Sequence, residues 1–395
     1  MNLKVTFVSG VYPYPYRFSW PGIERLVEGL SEALVKKGIE VSVVTSYRLG
    51  GQREFEVLPS GVKLYRVKSL LDFRPFGVLC LNSANFSLFA FRKYFRLLRD
   101  SDVVHVLGAS LVPVGPLKSS LPPVLCYFPH FDLPKSLIDL LYIPYTDFLY
   151  YLLCRASDII VASVPPNSPQ LYEFLEFFNV SIEKVRFLYQ GVDQEKFHPK
   201  IKATEVKDKF GDHIVLYAGP LIPRKGLVHL IEAIPKVAKE VPDVKFVFLG
   251  KGEQRGYLQS LAKKMGVDKH VFFEGFVPET DLPKYYKAAD VFGFPSLRDG
   301  YALVCLEAMA CGTPIVAANL GTIAEIVGDT GILVEERDSA SLAEGIETLL
   351  NNPTLRKRLG ERAARRVKEH FTWDQVTERL VEIYKEAMQL RKSDH

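Results

Sequence analysis

The chain has 395 residues, 48% of them hydrophobic, and its 50 basic and 46 acidic side chains leave a formal charge of +4. That length is enough for two ordinary domains, each burying its own core, and the near balance of charge excludes the strongly basic surface of a nucleic-acid-binding protein. No apolar run reaches the roughly 18–20 residues that cross a bilayer; the best stretch, Leu137 to Cys154, is broken by Asp139, Pro144 and Asp147.

Leu3 to Ser9 reads as a first strand rather than a signal peptide, since only a short apolar run follows Lys4 before Gly10, and the expected location is the cytoplasm. A helix follows with Ile23, Leu26, Val27, Leu30 and Leu34 on one face, then a strand at Val41 to Thr45, which completes a βαβ unit. Further buried strands are expected at Val103 to Val106, Val124 to Tyr127, Ile159 to Ala162 and Val185 to Leu188. Cys80, Cys126, Cys154, Cys305 and Cys311 lie scattered in apolar surroundings without a CxxC pair, as reduced core residues do.

Between Tyr189 and Asp212 the chain turns polar and lysine-rich, the composition of a connection between domains. A second alternating series follows, with strands at His213 to Tyr217, Lys245 to Leu249, Val271 to Glu274, Val291 to Phe294 and Ile315 to Ala317. Three helices close the chain: Ser339 to Asn351, Pro353 to His370 and Thr372 to Arg391, the last with Thr372 as N-cap. The expected architecture is α/β: two Rossmann-like doubly wound domains, residues 1–195 and 196–371, with helix 372–391 packing back onto the first. Open parallel sheets bind ligands outside the carboxyl ends of their strands, so the two are expected to face one another across a cleft.

Four segments carry candidate chemistry. In Phe294-Pro-Ser-Leu-Arg-Asp-Gly-Tyr-Ala-Leu-Val-Cys-Leu-Glu307 a strand end is followed by Asp299 and then a helix expected to begin near Gly300. The free amides at such a helix start, here Gly300, Tyr301, Ala302 and Leu303, receive anionic or hydroxylated ligands. Asp299 and Glu307 read either as carboxylates for ligand hydroxyls or as a helix-stabilising acid and a solvated one. After the first strand of the second series comes Gly219-Pro-Leu-Ile-Pro-Arg-Lys-Gly226, with Arg224 and Lys225 as candidate phosphate contacts. In the first half, Pro21-Gly22 enters the first helix, where Gly22 permits close backbone approach or serves as a plain turn, and His130 stands just past a strand end.

In this order the segments resemble glycosyltransferase family 4, the group 1 glycosyltransferases. Asp299 and Glu307 fall on the two acids of the E-x7-E motif, Gly219 to Gly226 on G-R-L-x-x-x-K-G, and Tyr189-Gln-Gly-Val-Asp-Gln-Glu-Lys-Phe197 on N-G-V-D-x-x-x-F. The resemblance implies the GT-B arrangement and a retaining, metal-free hexosyl transfer from a nucleotide sugar, a UDP- or GDP-hexose, with no further cofactor. The acceptor it implies is the hydroxyl of a glycan or lipid-linked molecule, with peripheral contact to the inner face of a membrane. It gives Asp299 the sugar hydroxyls, Glu307 the ribose, Lys225 the diphosphate and His130 the transferred sugar. Pro220 stands where the family has arginine, and Asp299 is one methylene shorter than the usual glutamate. These departures keep open a catalytically impaired sugar-nucleotide or glycan-binding relative, or another enzyme on the same scaffold such as a nucleotide-sugar epimerase.

Overall fold

The computed structural model describes residues 3–10, 22–46, 52–67, 79–107, 118–128, 152–163, 169–177, 179–299 and 301–393. The chain divides into two compact units, residues 1–191 with 373–395, and residues 192–372.

The sheet of the first unit runs β3-β4-β2-β1-β5-β6-β7-β8. Its strands are β1 (Lys4–Ser9), β2 (Glu40–Ser46), β3 (Phe55–Val57), β4 (Lys63–Val67), β5 (Val103–Leu107), β6 (Val124–Phe128), β7 (Ile159–Ala162) and β8 (Val185–Phe187). All neighbours pair in parallel except β3, which lies antiparallel on β4. Because strands of a parallel sheet are covered on both faces, they read as apolar runs with two cores. Phe7, Val43 and Leu64 face one core, shared with the helix Gly22–Lys36 and with Leu380, Ile383 and Tyr384 of the final helix, Trp373–Ser393. Val8, Val44 and Val106 face the other, under Phe86, Phe91 and Leu98 of the helix Leu79–Arg99.

The second unit carries a fully parallel sheet in the order β11-β10-β9-β12-β13-β14. Its strands are β9 (Ile214–Ala218), β10 (Lys245–Leu249), β11 (Val271–Gly275), β12 (Val291–Phe294), β13 (Ile315–Ala318) and β14 (Ile332–Val334). The helix Leu227–Glu240 buries Leu227, Leu230, Ile231, Ile234 and Val237, the single apolar stripe that a sheet-covering helix needs.

Three strands were not anticipated: β3, β4 and β14. Two are only three residues long, and β4 alternates Lys63 and Tyr65 with Leu64 and Arg66, a pattern without the apolar run of its neighbours. Cys126, Cys154, Cys305 and Cys311 are buried free thiols, as expected.

Candidate functional site

Strands β9 and β12 are neighbours at the point where the strand order of the second sheet reverses, with β10 and β11 extending one way and β13 and β14 the other. Loops leaving such a pair diverge and open a crevice at the carboxyl ends of the strands. Here they are residues 219–226 and 295–302, and both carry expected site residues.

Glycine is what allows the two loops to touch. At Gly226 φ is +63°, and a Cβ there would lie 2.1 Å from the carbonyl oxygen of Pro295. Around that contact Leu297 N–H donates to the Arg224 carbonyl at 2.9 Å, and the Ser296 hydroxyl reaches the same oxygen at 3.4 Å. Gly226→Ala combines a left-handed backbone with a backbone clash, and we expect it to cost about 3 kcal/mol, read as a lower urea midpoint.

The consequence of the contact is an ion pair between Lys225 Nζ and Asp299 Oδ2, residues 74 apart in sequence, whose side chains are only 8% and 10% exposed. The ammonium also lies 5.2 Å from the centroid of the Phe294 ring. Ser296 steadies the loop by donating to the Arg298 carbonyl at 3.1 Å, with Asp299 Oδ2 at 3.5 Å. Arg224 is exposed and donates from Nη1 to the Arg298 carbonyl at 3.3 Å, so it reaches the loop that carries Asp299.

The Gly219 turn is held from two sides. Buried Tyr217 donates its hydroxyl to the Pro220 carbonyl at 2.9 Å, and a Cβ on Gly219 would lie 2.8 Å from that hydroxyl. Beyond β10, a Cβ on Gly250 would fall 2.0 Å from the Gly219 carbonyl oxygen, and one on Gly252 would fall 2.2 Å from that of Leu221. The Gly250-Lys-Gly252 pair and Ser296 are site-building residues that the sequence reading passed over, although a Gly-x-Gly straight after a strand was a usable signal.

The helix expected near Gly300 starts at Leu303, because Ala302, at φ −85° and ψ 70°, is not helical. Glu307 therefore lies one turn in rather than two, and it is buried, 3% exposed, not solvated. The Tyr286 hydroxyl donates to Glu307 Oε2 at 2.7 Å, and Tyr286 is itself set by ring contacts to Phe292 and Phe197. Tyr301 and Leu303 are half-buried and Ala302 is buried. Neither the helix Leu303–Ala310 nor the helix Leu227–Glu240 has a side-chain cap, although the Leu303 and Cys305 amides already donate to the Tyr301 and Ala302 carbonyls at 3.0 and 2.9 Å, and the His229 amide to that of Gly226 at 3.0 Å. Burial, reinforced by the Asp299 carboxylate, pushes the Cys305 thiol well above its ordinary value and keeps it a protonated, poor nucleophile.

Gly22 is the first residue of the helix Gly22–Lys36 in the first unit. His130 and Gly300 lie outside the described residues. Among the described residues no group of three or more His, Cys, Asp or Glu could hold a metal, and no helix is long and apolar enough to cross a membrane. A cavity of about 420 Å³ opens at the opposite edge of the second sheet, before β12 and β13. Within it Asp290 meets Lys207 at 3.0 Å and Arg356 at 3.4 Å.

The model of the group 1 glycosyl transferases matches residues 199–366, and that of glycosyltransferase family 4 matches residues 20–196. An uncharacterized glycosyltransferase of Methanocaldococcus jannaschii is 29% identical over 98% of this chain and 99% of its own. Sucrose-phosphate synthase from Thermosynechococcus elongatus superposes on 98% of this chain over 100% of its own, with a TM-score of 0.81 at 21% identity. Anabaena HepE in complex with UDP-glucose does so over 98% and 100%, with a TM-score of 0.72 at 17% identity. At these identities the structures establish the fold, two Rossmann-like domains of GT-B type. The family models go further, since the two halves match in order and between them span nearly the whole chain: it belongs to the group 1 glycosyltransferases of family 4.

Proposed function

We propose that this glycosyltransferase moves a hexose from a nucleotide sugar, a UDP- or GDP-hexose, to a hydroxyl of a glycan or lipid-linked acceptor, with retention at the anomeric carbon. The observation that carries the reading is the buried Lys225–Asp299 pair at the switch point of the second sheet, beside two uncapped helix N-termini. A departing nucleoside diphosphate accumulates negative charge, and preorganised cations and amides placed where that charge develops lower the barrier. In this reading Lys225 turns from Asp299 to the diphosphate, while the amides of Leu227–Glu240 and Leu303–Ala310 take further oxygens.

Asp299, released from Lys225, then accepts hydrogen bonds from the sugar hydroxyls, and Glu307, oriented by Tyr286, accepts from the ribose diol. Arg224 lies close enough to this loop to supply the cation that Pro220 does not. The acceptor hydroxyl passes its proton to the departing phosphate, with His130 assigned to the transferred sugar. The UDP-glucose in the HepE complex favours a uridine donor. On the first unit, Leu88, Arg92 and Arg96 stand along the exposed side of the helix Leu79–Arg99, which suits peripheral contact with an anionic membrane and a lipid-linked acceptor.

The test is a thermal-shift screen of UDP- and GDP-hexoses. A ligand at 100 times its dissociation constant stabilises the fold by about 2.7 kcal/mol. A selective rise for one nucleotide sugar, followed by transfer of labelled hexose, is expected; no shift with any of them would remove the donor-site reading.

A further inference from the structure

We infer that the first unit holds a second polar site, an oxyanion pocket at the carboxyl ends of β2 and β4 built on Thr45 and Arg66, which receives a phosphate or carboxylate group of the acceptor. Calling the ligand the acceptor rests on the transferase reading above; the binding of an anion does not.

Thr45 and Arg66 are partners across the parallel pair β2 and β4, so their side chains stand on the same face of the sheet. That face is the one carrying Val43 and Leu64, which lie two residues earlier on the same strands and are packed in the core. The row thus changes from apolar to polar at the carboxyl edge of the sheet, where α/β proteins receive ligands. Both side chains are almost fully buried, Arg66 at 1% and Thr45 at 2% exposure.

Their hydrogen bonding is incomplete. Arg66 Nη1 donates to the Arg53 carbonyl at 2.8 Å and to Glu56 Oε2 at 2.9 Å, while Nη2 meets no partner among the described residues. Thr45 Oγ1 meets none either. Buried guanidinium and hydroxyl groups are satisfied in the great majority of proteins, because a desolvated donor left unmade is costly. Tying β3 to β4 accounts for Nη1 and Glu56, but it explains neither Nη2 nor the neighbouring hydroxyl.

Two unmet buried donors from paired positions on neighbouring strands, one of them on a guanidinium, match a ligand that presents several acceptor oxygens and prefers charge-assisted bonds. A carboxylate or a phosphate meets that description; a single sugar hydroxyl does not.

The experiment uses the full chain with its donor site filled by whichever of UDP or GDP raises the melting temperature, or unfilled if neither does. Calorimetric titrations follow with inorganic phosphate, glycerol 3-phosphate, glucuronate and glucose. The anions are expected to bind and glucose is not; whether the phosphates or glucuronate bind more tightly identifies the anion. Thr45→Val removes an unpartnered hydroxyl without changing the shape of the side chain, so it is expected to keep the melting temperature while weakening anion binding about tenfold. Arg66→Lys keeps the charge but loses the fork and should weaken it at least as much; should that variant not fold, Thr45→Val carries the test. No anion binding, glucose bound as tightly as the anions, or a Thr45→Val affinity within about twofold of wild type would overturn the inference. Anion binding without any nucleotide binding would instead sink the transferase reading and leave this pocket standing.

Discussion

Lys225→Met is expected to weaken nucleotide binding about a hundredfold and to lower the stability of the second unit by about 3 kcal/mol. The two losses have different origins. Binding falls because the ammonium is a buried cation held between the two loops, next to the uncapped helix ends. Stability falls because Asp299, 10% exposed, is left as a buried charge whose remaining neighbour, the Ser296 hydroxyl at 3.5 Å, cannot neutralise it. Asp299→Asn separates the two effects. It is expected to cost similar stability yet to keep nucleotide affinity at or above wild type, since Lys225 no longer has to leave a counter-ion before meeting a diphosphate, while transfer of the sugar falls sharply. A double-mutant cycle checks the pair itself: the combined Lys225→Met, Asp299→Asn variant carries no uncompensated buried charge and should recover most of the lost stability. Simple addition of the two single costs, measured by urea unfolding, would show that the residues do not act as a pair.

How far this could be read from the sequence follows from what each feature depends on. Strands such as Ile214–Ala218 and Lys245–Leu249 were legible because a strand covered on both faces must be apolar throughout, a property of its own residues. Lys225 and Asp299 were each legible from their segments. Their contact was not, because it requires β9 and β12 to be neighbours, which is a fact of strand order. The burial of Glu307 had a local signal in the unbroken apolar composition of Leu303–Ala310, which leaves no polar face to put it on. Its partner did not, since Tyr286 arrives from a separate helix, Leu282–Ala288. Arg66 was legible on neither count: β4 lacks the apolar run that marks its neighbours, and without knowing that β2 lies alongside, nothing connected it with Thr45.

Acidification from pH 7 to pH 5 is expected to loosen the final helix, Trp373–Ser393, from the first unit, through His105. This imidazole sits on β5, fully buried, with its ring 5.2 Å from that of Phe7, and its Nδ1 shares a 2.9 Å hydrogen bond with the Tyr384 hydroxyl of the final helix. Nε2 has no partner among the described residues in either tautomer, so protonation would place a charged, unpaired N–H in the core. Burial accordingly pushes the pKa from 6.5 down to about 3. Because the folded value is the lower one, the stabilising contribution is complete above pH 6.5 and is lost as the pH falls towards 3. The loss is about 1.4 kcal/mol per pH unit, about 2 kcal/mol by pH 5 and about 5 kcal/mol by pH 3. Glu386, held below the usual carboxylate range by its hydrogen bonds to Arg186, gives way only at lower pH, so the window between 6.5 and 5 isolates the imidazole. Hydrogen exchange along Trp373–Ser393 reads this locally: protection should fall through that window in the wild type, after correction for intrinsic exchange. His105→Asn should start from lower protection, having lost packing, but with a slope shallower by about 1.4 kcal/mol per pH unit. Equal slopes in the two proteins would place the acid sensitivity on other groups; a flattened slope ties the docking of the final helix to a single neutral histidine at the centre of the sheet.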